Sequence, residues 1–291
     1  MNSRDWLEYY RQNRRDRLPI AWDQPIRGAA VVQAGVARSL ARFQLGESSE
    51  GTRLRQAAHR LARRTGDSAY AEAIELFISE EQEHARLLGV ALNRFAVPRL
   101  RHHWSDWLFR RCRHGLGFYE EIMVLLMAEI VALKYYSVVR DGTADSALQR
   151  VCDQILHDEK FHVRFHCEYL HRWLAVRPPV VQRLAGWGLA VLFAGASTVV
   201  AWDHRAAFAA LGSSAEEFLD DSWENFAAVR QAILTGEAFV WSRKLRRVES
   251  PAPVRPRQSE VQLVWTLGVR SWRWLWLLSY RRPQLAWPGR R

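Results

Sequence analysis

The sequence predicts an all-α protein: an antiparallel four-helix bundle with additional helices C-terminal to it. Two observations lead there. Glu-x-x-His occurs twice, as Glu81 with His84 and Glu159 with His162, each inside a run whose apolar residues recur at steps of three and four. Each run is preceded, across a turn signal, by another stretch of the same period that carries acids. Those steps are the period of one helix face, and four such stretches joined by short turns make two helical hairpins.

In chain order, residues 1–26 read as an N-terminal arm. Charge runs through the first 17 residues with no apolar core of a secretory signal, and Trp6, Leu7, Tyr9 and Tyr10 are expected to pack on the outside of the bundle. Residues 18–22 read as an extended connector. The bundle is expected over 27–176. Its first helix runs through Phe43, Glu47, Glu50, Leu54, Ala57 and Leu61 and breaks at Thr65-Gly66-Asp67. Its second carries Tyr70, Ile74, Phe77, Glu81, His84 and Leu88 on one face. A crossover over 97–117, with Pro98, the Arg101-His102-His103 run, Trp104 and Trp107, reads as solvated surface without chemistry. The third helix aligns Ile122, Leu125, Glu129, Leu133 and Tyr136 and breaks near Asp141-Gly142-Thr143. The fourth aligns Leu148, Cys152, Ile155, Glu159, His162, His166 and Tyr169 and ends before Pro178-Pro179.

Residues 177–247 are expected to add apolar and amphipathic helices. The run 184–202 contains no charged residue and has Trp near both ends, which suits a buried covering helix, a peripheral membrane contact or a membrane span. Ser213-Ser214-Ala215-Glu216 is an N-cap pattern for a further helix to about Leu234. The tail 248–291 interleaves Trp and Arg behind a proline-punctuated linker, a composition for a membrane interface, for stacking on nucleic-acid bases or for clasping the same chain.

A Glu and a His one helical turn apart share a face, so each motif can grip one ion. Both motifs interrupt faces that are otherwise apolar, and a carboxylate taken into a core normally has a partner or a metal. Counting from the hairpin breaks says which further acids come level. With the first break at about residue 65.5, Glu50 and Glu81 lie equally far from it, and Glu47, almost a turn out of level, is the fallback. Around residue 143, Glu129 and Glu159 pair in the same way, whereas Glu120 and Glu121 come two turns too early.

One Glu from each of two helices plus Glu-x-x-His from each of the other two resembles the ferritin-like di-iron carboxylate superfamily, which includes rubrerythrins, demethoxyubiquinone hydroxylases and bacterial di-iron oxygenases. The resemblance covers roughly residues 29–173. It implies Glu50, Glu81, His84, Glu129, Glu159 and His162 as ligands of two iron ions, with manganese as the alternative metal. Glu81 and Glu159 would bridge the metals and Glu50 and Glu129 would be terminal. It also implies that the acids preceding the motif residues, Asp158 and Glu80, hold His84 and His162 respectively, each reaching the opposite histidine. Tyr136 and His166, on the ligand stripes, suit either a proton or electron relay or ordinary core packing.

The expected function is oxygen-dependent: dioxygen or peroxide as oxidant, a small lipophilic substrate and an external electron donor, since no nucleotide-binding glycine fingerprint is present. The alternatives are an iron-handling or peroxide-scavenging protein of rubrerythrin or ferritin type, and a membrane or nucleic-acid adaptor with a structural metal site. A net charge of +11 adds attraction to an acidic surface, read here as an anionic membrane surface rather than nucleic acid. Cys112, Cys152 and Cys167 lack metal-type spacing and suit reduced thiols, so a cytoplasmic setting at the inner face of a membrane is expected.

Overall fold

Side-chain caps set where the helices begin. In the computed structural model, which describes residues 1–28, 30–113, 117–238 and 241, every regular element among the described residues is α-helical. Asn2 and Asp5 form a reciprocal capping box at the start of α1 (Ser3–Asn13). Asp67 accepts from the Tyr70 amide to start α4 (Ser68–Arg94), and Asp145 accepts from the Leu148 amide to start α7 (Ser146–Ala175). Ser214 accepts from the Glu217 amide to start α10 (Ala215–Thr235), the helix expected from its N-cap pattern. Each such cap contributes about 1 kcal/mol. Left-handed glycines, Gly66 and Gly236, close α3 (Thr52–Thr65) and α10.

The remaining helices are α2 (Ala30–Glu47), α5 (Trp104–Arg113), α6 (Phe118–Gly142), α8 (Pro179–Asp203) and the short α9 (Arg205–Ala210). Helices α6 and α7, joined by a three-residue turn, make the most extensive pair, and α4 packs against α2, α3, α1 and α7. The N-terminal arm, expected as packing, is largely helix α1. Trp6 and Tyr10 on it are fully buried, and Tyr9 stacks on Phe161 with ring centroids 4.3 Å apart. Helix α10 covers α7 and α8, where Phe193 stacks on Phe226 at 4.4 Å. The described residues belong to one unit; the Trp/Arg-rich segment 248–291 lies outside them.

The first bundle helix is not continuous. It is expected through Phe43, Glu47, Glu50 and Leu54, but the chain leaves the helix after Glu47 and re-enters at Thr52. Gly51 sits at φ 64°, the left-handed region, and a Cβ there would come within 2.7 Å of the Ile78 side chain. Glycine is therefore required twice over, by conformation and by the close approach of α4. The interruption invalidates a level count based on uniform helical rise, with a consequence for Glu50 described below.

The charge-free run 184–202 is helix. Its inner stripe, Gly186, Leu189, Ala190, Phe193, Ser197 and Ala201, is buried on α6 and α10, while Leu184, Trp187, Val191 and Trp202 point outward and exposed. It is thus a covering helix on one face only.

Candidate metal centre

Four helices converge on one polar cluster inside this core. Two overlapping groups of donor atoms form it: Glu47, Glu81, His84 and Glu159 in one, and Glu81, Glu129, Glu159 and His162 in the other. Within each group the ligand-type atoms all lie within 4.8 Å of one another, and Glu81 and Glu159 belong to both. Helix α2 supplies Glu47 from its last residue, α4 supplies Glu81 and His84, α6 supplies Glu129, and α7 supplies Glu159 and His162. The histidines enter through Nδ1. His162 Nδ1 lies 3.1 Å from Glu81 Oε1 and 3.4 Å from Glu159 Oε2, and His84 Nδ1 lies 3.4 Å from Glu159 Oε1.

Of the six expected ligands, the structure brings together Glu81, His84, Glu129, Glu159 and His162, and does not bring Glu50. Glu50 lies exposed in the non-helical segment between α2 and α3, and Glu47 occupies its place. The register error has a physical cause: the count treated residues 43–61 as one rod, and the break before Gly51 leaves Glu47, not Glu50, on the helix that faces the cluster. Tyr136 donates a hydrogen bond to Glu47 Oε1 at 2.8 Å. His166 is fully buried against the Phe77 ring at 4.8 Å, with neither ring nitrogen hydrogen-bonded, and burial pushes its imidazole down to about 3.

Behind each histidine stands the acid of the opposite motif. His84 Nε2 is 2.9 Å from Asp158 Oδ2, and His162 Nε2 is 2.9 Å from Glu80 Oε2. An imidazole that gives its Nε2 proton to a carboxylate keeps the Nδ1 lone pair for the cluster, which fixes both tautomers. Two residues of the N-terminal arm tie these acids together, and sequence periodicity did not reveal them. Asn13 Nδ2 donates to Glu80 Oε1 at 2.8 Å and to Asp158 Oδ1 at 2.7 Å, and Arg17 pairs with both acids. Gln154, one turn before Asp158, donates to it as well. The Asn2/Asp5 capping box marks the start of a helix in the arm, but no local signal points from Asn13 or Arg17 to these acids.

The charge state identifies what the cluster lacks. Burial, and then repulsion from Glu81 and Glu159, holds Glu47 well above the usual carboxylate range. Burial and the Glu159 charge do the same to Glu129, while Glu159, burial notwithstanding, is held low by the adjacent Glu129 and the two histidine rings. Burial alone would lower His84, yet its hydrogen bond to Asp158 and the nearby Glu159 outweigh that and raise it well above the ordinary imidazole value. These shifts share one source, four carboxylates crowded into a buried site. The buried Glu81 Oε1, both Glu159 oxygens and both histidine Nδ1 atoms have no hydrogen-bond partner. Unpaired buried acceptors are costly, and these converge on shared space, so the donors fit a bound cation. Carboxylate and imidazole donors suit a divalent metal ion.

A cavity of 390 Å³ opens from the cluster. Glu47, Glu81, Glu129 and Glu159 form part of its wall, and Glu47 and Glu81 are half-buried there. The rest is mainly apolar, from Phe43, Phe77, Leu125 and Ala128 out to Phe109 on α5 and Val191 on α8. Arg113 also lines it and lies 3.5 Å from the buried Glu121, which takes no part in the cluster. Neither a protein-family model, nor a curated protein, nor a solved structure matches the chain.

Proposed function

We infer that the chain is a non-haem di-iron oxidoreductase, resembling the ferritin-like carboxylate proteins, that uses dioxygen or peroxide to oxidise a small lipophilic substrate. The observation that carries this reading is the junction of two features: a doubled carboxylate-histidine donor set, and an apolar cavity that ends on its carboxylates. An iron pair, or manganese in its place, would supply the electron-transfer chemistry with the oxidant. Glu81 and Glu159, common to both donor groups, would hold the two ions together, with Glu47 and His84 completing one side and Glu129 and His162 the other.

The protein's own residues do the rest. Asp158 and Glu80 orient the histidine rings, and Asn13 and Arg17 hold those acids in place. Tyr136 fixes the Glu47 carboxylate by its hydrogen bond. The apolar walls exclude water and accept a hydrocarbon or aromatic body, the usual composition of a small-molecule site. That lining favours substrate oxidation over iron handling, because ions entering a store need a polar path. The electrons come from an external donor.

The test is substrate-dependent oxygen consumption by the iron-loaded protein, comparing wild type with Ala128→Phe, which fills part of the cavity at a residue that supplies no donor atom. The reading expects unchanged iron content and loss of substrate turnover. Iron oxidation that continues unaffected, with no substrate stimulating oxygen use in either protein, would transfer the site to the iron-handling class.

A further inference from the structure

The outward face of α8 is largely apolar, with Thr198 on it and Arg183 at its edge. Val180, Leu184, Trp187, Val191, Gly195, Thr198 and Trp202 follow one another at steps of three and four, and Leu184, Trp187, Val191 and Trp202 are 65%, 50%, 68% and 57% exposed. Soluble surfaces rarely carry a contiguous apolar strip of this length. Helix α5 extends it: Trp104 packs edge-on against Trp202 with centroids 6.0 Å apart, and Trp107 is 65% exposed.

The charge around the strip is of one sign. Residues 96–113 contain five arginines and residues 176–212 three, against a single acid in each, Asp106 and Asp203. Both acids are paired, Asp106 with Arg110 at 2.8 Å and Asp203 with Arg42 at 3.2 Å, and Arg113 is buried beside Glu121, so the exposed excess is Arg99, Arg101, Arg111, Arg177, Arg183 and Arg205. Arg205 lies over the Trp202 ring at 5.0 Å, an arrangement in which the cation stays at headgroup level beside an interfacial indole.

We propose that this α5/α8 face docks on an anionic lipid bilayer, with α8 lying flat in the interface and the cavity opening toward the acyl chains. Two observations set the orientation. The inner stripe of α8 is packed on α6 and α10 along its length, and α10 begins with Glu216 and Glu217 and joins α6 through a Lys134–Asp221 ion pair at 2.6 Å. Turning α8 across a bilayer would draw those charges into hydrocarbon, so it lies in the plane as a one-sided helix. The cavity wall includes Val191 and Leu108, which are also exposed on this face, so an amphiphile can pass sideways from the membrane to the donor cluster. Docking itself does not depend on the metal chemistry; only the use of the opening for substrate entry rests on the function inferred above.

The test is flotation of the full-length protein with vesicles of phosphatidylcholine alone or with phosphatidylglycerol, with and without added iron. Binding is expected to need the anionic lipid, to weaken steeply with salt and to ignore iron, so a failure of the metal reading leaves this result standing. The exposed pair Leu184→Glu/Trp187→Glu should lower binding by at least about tenfold. Retained binding in that variant, with loss when Trp272, Trp274, Trp276 and Trp287 are replaced by Ala, would move the membrane contact to the tail and overturn the proposal. So would a dimer in sedimentation velocity that the same Glu pair dissociates, without vesicle binding by the wild type. Quenching by brominated lipids of a probe at position 184 or at 202 should give equal shallow depths; a gradient between them would overturn the flat placement.

Discussion

Asp158→Asn is the substitution that separates a tuned metal site from a buried polar network. The carboxylate accepts from His84 Nε2 at 2.9 Å, Asn13 Nδ2 at 2.7 Å and Gln154 Nε2 at 3.0 Å, and it pairs with Arg17. An amide keeps the shape but turns one oxygen into a donor, so at least one of these donors meets another donor. An unsatisfied buried group costs about 1–3 kcal/mol, and part of that loss falls equally on the metal-free protein. What is specific to metal binding is the His84 tautomer. Without an ionised acceptor the ring is no longer held with its Nδ1 lone pair toward Glu159, and loss of such an outer partner weakens metal affinity about 10–100-fold, or roughly 1.4–2.7 kcal/mol. Anaerobic competition for ferrous or manganous ion against a chelator of known affinity measures this, with thermal melts of the metal-free proteins to confirm folding. Glu121→Gln, a change at a buried acid outside the cluster, should stay within about threefold of wild type. A folded Asp158→Asn protein with wild-type affinity would refute the assignment of His84 as a ligand oriented by Asp158.

Further outcomes follow from particular contacts. Glu47→Gln should weaken metal binding by at least about tenfold whereas Glu50→Gln changes it little; the reverse order, by the same competition assay, would restore the uninterrupted helix register. Gly51→Ala should destabilise the fold by roughly 2 kcal/mol in urea denaturation, combining left-handed strain with the contact on Ile78; a shift below about 0.5 kcal/mol would mean that the segment relaxes freely. His204 supplies a pH dependence. Its ring accepts or donates at Ser39 Oγ, 2.6 Å away, is packed among the Phe43, Tyr135 and Phe208 rings, and lies 3.7 Å from Asp203 Oδ2. Burial first, then the Arg42 and His103 charges, push it down to about 3. The native state therefore stays neutral where the unfolded chain, with an ordinary imidazole near 6.5, takes up a proton. Stability is lost as pH falls from about 6.5 toward 3, at up to about 1.4 kcal/mol per pH unit from this group. The loss of stability between pH 6.5 and 4.5, from urea denaturation, should be smaller in His204→Gln than in wild type by roughly 2 kcal/mol; equal losses would show that the ring is protonated in place.

How far the sequence reveals this architecture depends on whether the signal is local. The Glu-x-x-His helices, the turn at Gly142 and the Glu129–Glu159 pairing were legible because α6 and α7 are unbroken and their register follows from equal helical rise. The same arithmetic put Glu50 where Glu47 belongs, because four non-helical residues before Thr52 are invisible to a stripe that continues in step on both sides of them. Asn13 and Arg17 were not legible at all: Asn13 meets Asp158 across 145 residues of sequence, and nothing in the arm's own pattern encodes that contact. The sequence leaves three readings of 184–202 open because both faces of α8 are apolar. Only the packing of Phe193 and its neighbours shows which face is inward.

The most direct test of the central claim is anaerobic titration of the metal-free protein with ferrous iron, followed by iron analysis and the optical spectrum on admission of air. The account expects saturation at about two irons per chain, a spectrum that changes with oxygen, and binding abolished by Glu159→Ala, the residue common to both donor groups. Saturation at one ion, or binding that survives Glu159→Ala in a folded protein, would contradict it.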